Sequence, residues 1–80
     1  MTPAQEMRVM RDRAHDAHRM ALETQTRLLL HLEACEQLGL PPMEDADRLL
    51  RDGARLLVAS EALVSECSAW LRENAARNKK

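Results

Sequence analysis

Histidine and cysteine are the residues of this chain best suited to metal chemistry. His15 and His18 lie one helical turn apart, and Cys67 falls roughly opposite His15 if the chain folds back near residue 41. Imidazole nitrogen and thiolate sulfur are ligands of Zn²⁺, so these three residues define one hypothetical metal site. Both histidines are surrounded by charged residues, which is typical of a solvated helix face. We therefore predict no metal ligand and no cofactor, and keep a metal-binding helical bundle as an alternative.

His31 and Cys35 form a second cluster, because their spacing places them on one helix face. A thiol beside an imidazole is a nucleophile pair in some enzymes. The sequence has no Gly-rich elbow or oxyanion-forming loop, and the carboxylates of Glu33 and Glu36 fall elsewhere on the helix. We predict no catalytic residue and no enzyme activity. A histidine and a cysteine that fill one core layer, where the polar residue fixes the register, explain the pair better.

The composition excludes several classes of protein. The 80 residues are 45% hydrophobic and 31% charged, with Trp70 as the one aromatic residue and a formal net charge of -1. So few aromatic residues argue against an all-β fold, and the charge gives no attraction for nucleic acid. No apolar run approaches the ~20 residues that span a bilayer, and no signal peptide is recognisable. We expect a cytoplasmic protein with free thiols that binds neither nucleic acid nor membrane.

Two long heptad patterns flank a single break at residues 39–42, Gly-Leu-Pro-Pro. Before the break, mostly apolar or small residues recur with 3,4 spacing: Met7, Met10, Ala14, Ala17, Ala21, Thr24, Leu28, His31, Cys35 and Leu38. After the break the same spacing is kept by Ala46, Leu50, Gly53, Leu57, Ser60, Val64, Cys67 and Leu71. This period predicts helices packed lengthwise on other helices.

The sequence predicts an all-α fold, an antiparallel two-helix hairpin that forms one domain over residues 1–80. Helix one is expected over about 3–38, the turn over 39–42 and helix two over about 43–76. Thr2 and Gln5 are spaced as a capping box, and Gly39 suits the left-handed residue after a helix. Helix two is expected to continue through Gly53, which marks either a kink or a close contact.

The apolar surface divides into a packing seam and a partner-binding ridge. Residues on the heptad stripes with small or branched apolar side chains are predicted to form the seam: Ala14, Ala17, Ala21, Leu28, Leu50, Leu57, Val64 and Leu71. Large apolar residues beside the stripes are predicted to bind a partner: Leu29, Leu32, Leu49, Leu56, Leu63 and Trp70. One partner helix cannot cover so wide a face, so another chain is expected to complete a four-helix bundle or a coiled-coil-like assembly.

The central segment resembles a known family. Residues 27–35 (RLLLHLEAC), residues 38–42 (LGLPP) and the helix over 47–64 are similar to the small needle-protein co-chaperones of bacterial type III secretion. The likeness covers residues 20–70 and rests on length, helix order, turn position and Leu/Ala/Arg content. It implies binding to a larger tetratricopeptide-type chaperone, so that a needle subunit stays monomeric. The needle subunits themselves carry a Pro-x-x-Pro turn, whereas Pro41 and Pro42 are adjacent.

The first hypothesis is therefore a non-enzymatic protein-binding module that sequesters the apolar helices of a partner, with a secretion co-chaperone as its named version. The second is a homodimeric four-helix bundle, such as a phage or regulatory protein that inhibits a host target. The partner is a protein in both cases, either a helical chaperone or a second copy. The sequence leaves open which of these it is.

Overall fold

Two antiparallel helices make up the structure, a computed structural model that describes residues 1–78, with side chains for residues 1–74. Helix α1 spans Pro3–Leu38 and helix α2 spans Ala46–Asn78. They pack along their length as a rod of 64 × 16 × 14 Å. The prediction of an all-α hairpin is confirmed. Residues 79 and 80 of the predicted domain lie outside the described residues.

Both ends of α1 carry the predicted caps. The hydroxyl of Thr2 accepts a hydrogen bond from the backbone N–H of Gln5 (3.2 Å), and the Gln5 side chain accepts from the N–H of Thr2 (2.9 Å). At the other end Gly39 is left-handed, with φ 67°. The N–H of Leu40 then reaches the carbonyl of Cys35 at 2.9 Å, as in a Schellman motif. These local bonds fix where α1 begins and ends.

Helix α2 begins at Ala46 and not near residue 43, so the connection is longer than the predicted turn. Asp45 is left-handed (φ 59°), and its carbonyl accepts the first helical bond, from Leu49 at 2.9 Å. Its carboxylate pairs with Arg48 at 3.1 Å. Pro41 and Pro42 keep the residues before them extended, and the left-handed Asp45 then delays the helix to Ala46. The helix then continues through Gly53 without interruption.

The buried and half-buried residues of α2 follow one heptad stripe over most of its length. They include every residue of the predicted second stripe: Ala46, Leu50, Gly53, Leu57, Ser60, Val64, Cys67 and Leu71. The residues that are most fully enclosed are small, with Cys67 only 2% exposed. Small side chains let two helix backbones approach closely, so the hairpin is narrow.

The buried and half-buried residues of α1 form a stripe that differs in half of its positions from the predicted one. They are Ala4, Met7, Arg11, Ala14, His18, Ala21, Gln25, Leu28, Leu32 and Cys35. The line through Ala14 and Ala21 is as predicted. The second line contains Arg11, His18 and Gln25 instead of Met10, Ala17 and Thr24. The placement of Ala17 in the seam was wrong, because this residue is exposed.

Candidate partner-binding surface

The buried stripe of α1 contains His18 instead of Ala17, because the His18 side chain hydrogen-bonds to α2. Its Nδ1 donates to the carbonyl oxygen of Leu57 (3.1 Å) and lies 3.2 Å from the hydroxyl of Ser60. The Ser60 hydroxyl donates to the carbonyl of Leu56 at 2.8 Å. A half-buried imidazole is tolerated in an apolar seam when its polar atoms are bonded in this way. His18 therefore holds a seam position that hydropathy alone assigns to Ala17.

Gln25 makes a second bridge one heptad along the helix. Its Nε2 donates to the carbonyl oxygen of Leu50 at 2.9 Å. A Cβ atom on Gly53 would collide with the Gln25 side-chain amide, so the glycine makes room for this contact. Of the two roles predicted for Gly53, close approach is the one observed. The bridges to Leu50 and Leu57 together fix the antiparallel register of the hairpin.

His18 and Gln25 face the seam, so the neighbouring heptad line of α1 faces solvent. Ala17, Thr24 and His31 lie on this line, and all three are exposed. On α2 the neighbouring line contains Leu49 and Leu56, which are 38% and 51% exposed. The two lines face the same side of the hairpin.

The two lines enclose an open apolar groove of about 680 Å³. Its walls come from both helices and from Met43 in the connection. The lining residues are Ala17, Met20, Ala21, Thr24, Gln25, Arg27, Leu28, His31, Met43, Leu49, Gly53 and Leu56. The sequence prediction did not list Met20, Thr24 or Met43 among the partner-binding residues. The signal for Met20 and Thr24 was the heptad flank of α1, which becomes readable once His18 and Gln25 are placed in the seam. Met43 lies in the connection and had no such signal.

The ridge predicted on α2 continues past the groove toward the open end of the hairpin. Leu63 is 42% exposed and Trp70 is half-buried, and both keep the heptad line of Leu49 and Leu56. These four residues form an apolar ridge along one side of the molecule. We call the ridge and the groove beside it the apolar face.

Two other predicted partner-binding residues lie elsewhere. Leu32 is half-buried in the seam, one turn before Cys35. Leu29 is 56% exposed, and its heptad position places it on the opposite side of the hairpin from Leu56. On that side α2 contributes the charged residues Asp47 and Glu61 together with Ala54 and Val58. α1 therefore exposes leucines on more than one side, whereas the groove lies on the side of Leu49 and Leu56.

The hypothetical metal site is not assembled. His15 is exposed, while His18 is committed to the carbonyl of Leu57. Within the part of the chain that the structure describes, no three histidine, cysteine or acidic side chains converge as metal ligands. Both cysteines are free and buried. These contacts do not favour the metal-binding alternative.

His31 and Cys35 are neighbours, as their spacing predicted, but the expectation that both fill a core layer was wrong for His31, which is exposed. The Cys35 sulfur lies 3.6 Å from Nε2 of His31, which also accepts a hydrogen bond from the backbone N–H of Met43 at 3.3 Å. Cys35 is buried, at 7% exposure. His31 therefore ties the connection to α1, which places Met43 at the end of the groove.

Comparison of the chain with protein-family models, curated proteins and solved structures found no match. Over the described residues, neither helix combines the length and the apolar character that a membrane span needs.

Proposed function

We propose that this chain is a non-enzymatic, cytoplasmic protein-binding module that covers apolar helical surface of another polypeptide with its apolar face. One observation carries the proposal: the groove is lined by large apolar side chains of both helices, including Met20, Leu49 and Leu56, which are exposed in the single chain. Burial of a leucine side chain contributes about 1.5–3 kcal/mol. A helix laid along the groove would bury several such side chains at once.

The shape of the molecule supports the same proposal. The chain exposes 6513 Å², whereas a compact monomer of 9.1 kDa exposes about 4900 Å². The excess, about 1600 Å², is roughly twice what each partner contributes to a standard protein interface. A rod with this much uncovered area gains stability when a second polypeptide packs along it.

The named version of this function is a needle co-chaperone of type III secretion. It rests on the resemblance of residues 20–70 alone. In that version the apolar face would cover a helix of the larger chaperone. The general proposal does not depend on this choice.

Site-specific photocrosslinking in cells that make the protein natively tests the proposal. A photoreactive benzoylphenylalanine at position 56 lies on the apolar face. The same group at position 58 replaces Val58, which is more exposed (68%) but lies off the groove. We expect a discrete crosslinked product from position 56 and none from position 58. Absence of a product from position 56, in a chain that remains helical, would reject the proposal.

A further inference from the structure

We infer that the polypeptide on the apolar face is a second copy of this chain, related by a two-fold axis parallel to the helices. The inference rests on the proposed function, and it names the partner. Its basis is the charge of the two rims that border the apolar face. One rim is basic and belongs to α1, while the other is acidic and belongs to α2.

The basic rim follows the outer heptad line of α1. Met20 and Arg27 of this line reach the groove, and Arg13 lies one heptad before Met20. In the described residues neither Arg13 nor Arg27 makes a salt bridge within its own chain. Two guanidinium groups on this edge are thus free to meet another molecule.

The acidic rim follows the corresponding line of α2. Asp52 and Glu66 lie two heptads apart, with Ala59 between them. The carboxylate of Asp52 has one partner, Arg55, at 3.9 Å on the exposed surface. A contact of this length between exposed side chains contributes little and yields easily to a better partner.

The register places these charges at matching heights. Gln25 is level with Leu50, and His18 is level with Leu57, because they are hydrogen-bonded across the seam. Counting along antiparallel helices, Arg27 then lies within about one helical turn of the height of Asp52. The same offset of about one helical turn separates Arg13 from Glu66 and Met20 from Ala59. Each rim therefore repeats charged, apolar, charged at one spacing.

A two-fold axis parallel to the helices sets α1 of each copy over α2 of the other, with both connections at the same end. Arg13 then meets Glu66 of the second copy and Arg27 meets its Asp52, each pairing occurring twice. An axis perpendicular to the helices would instead set the arginine rim on the arginine rim. Opposite charges at an interface favour one orientation and suppress the others, so the parallel axis is selected.

One pairing opposes this arrangement. Glu6 continues the α1 rim and Glu73 continues the α2 rim, so like charges approach at the open end. The Arg27 pairing lies beside the groove and the Arg13 pairing lies beside the ridge near Leu63, whereas the repulsive pairing lies near the open end. Burial of the leucines supplies the affinity, and the rims supply the orientation.

Charge reversal tests this geometry. One variant carries Arg13→Glu and Arg27→Glu, and a second carries Asp52→Arg and Glu66→Arg. In each variant the two rims carry charge of the same sign, so they repel each other in its homodimer. Self-association, measured by sedimentation velocity, should weaken at least about tenfold. An equimolar mixture restores every pairing and should form a heterodimer within about threefold of the wild-type affinity. The chain with all four substitutions should dimerise like the wild type.

A matched control separates rim charge from net charge. Arg8→Glu with Arg19→Glu changes the net charge equally but alters positions off the apolar face, and it should leave the dimer intact. Circular dichroism of every variant records whether it is helical, and recovery in the mixture excludes simple misfolding.

Three experimental outcomes would each overturn a different claim. A monomeric wild type whose position 56 still crosslinks to a different polypeptide would overturn the second-copy inference and leave the proposed function standing. A wild-type dimer that tolerates both charge reversals would overturn the two-fold geometry. Absence of any crosslink from position 56 would reject the proposed function itself.

Discussion

At the residue scale, polar side chains determine which face of α1 packs inward. Heptad spacing admits two neighbouring lines, one with Ala17 and Thr24 and one with His18 and Gln25. Hydropathy favours the first line. The structure packs the second, because His18 and Gln25 bond to backbone carbonyls of α2 that face the seam. A single sequence does not reveal those partners, since they depend on the register of the other helix.

Gly53 and Gln25 should be coupled in stability. Gly53→Ala gains about 1 kcal/mol of helix propensity, but the new methyl group displaces the Gln25 amide from Leu50, which costs about 1 kcal/mol. We expect almost no net change in the free energy of unfolding, measured by urea denaturation at fixed protein concentration.

In a Gln25→Ala background nothing is displaced, so Gly53→Ala should stabilise by about 1 kcal/mol. Gln37→Ala provides the control background, because Gln37 is exposed on the same helix. Equal effects of Gly53→Ala in the Gln25→Ala and Gln37→Ala backgrounds would show that Gly53 and Gln25 do not interact.

At the element scale, the sequence was most informative about the ends of α1. The Thr2 and Gln5 cap and the Gly39 terminus are set by short-range bonds, so residue types three to five positions apart suffice to predict them. The start of α2 was less predictable. Glu44 favours a helix N-terminus by its charge, yet the left-handed Asp45 delays the helix to Ala46.

Gly39 should be required for its backbone conformation and not for its size. No atom lies within 4 Å of a Cβ built on it, so a substitution meets only the strain of a positive φ. Gly39→Ala should destabilise the hairpin by about 1 kcal/mol. Gly39→Asn should cost less, because asparagine tolerates this region better. Thermal melting of the two variants checks the order, and equal losses would point to a role other than backbone geometry.

At the scale of the whole molecule, the heptads predicted the hairpin and the ridge of α2, whereas the groove became visible only in the structure. Leu49 and Leu56 were assigned to a partner surface from sequence. Their neighbours Met20 and Met43 were not, because they belong to a different helix line and to the connection. Together these residues form one exposed apolar face. The charged rims beside it favour one orientation of the second chain.

Leu56 and Leu57 should respond differently to a charge, although they are adjacent. Leu57 is half-buried in the seam, so Leu57→Asp should unfold the hairpin itself. Leu56 lies in the groove, so Leu56→Asp should weaken association with the second chain. Helicity should then fall, because the uncovered hairpin is less stable.

Sedimentation velocity of the purified wild type, Leu56→Asp and Val58→Asp tests most directly whether the apolar face must be covered by another chain. We expect a wild-type species of about twice 9.1 kDa, the same species for Val58→Asp, and a monomer of reduced helicity for Leu56→Asp. Sedimentation of all three chains as 9.1 kDa monomers that melt cooperatively at the same temperature would show that the apolar face needs no covering chain.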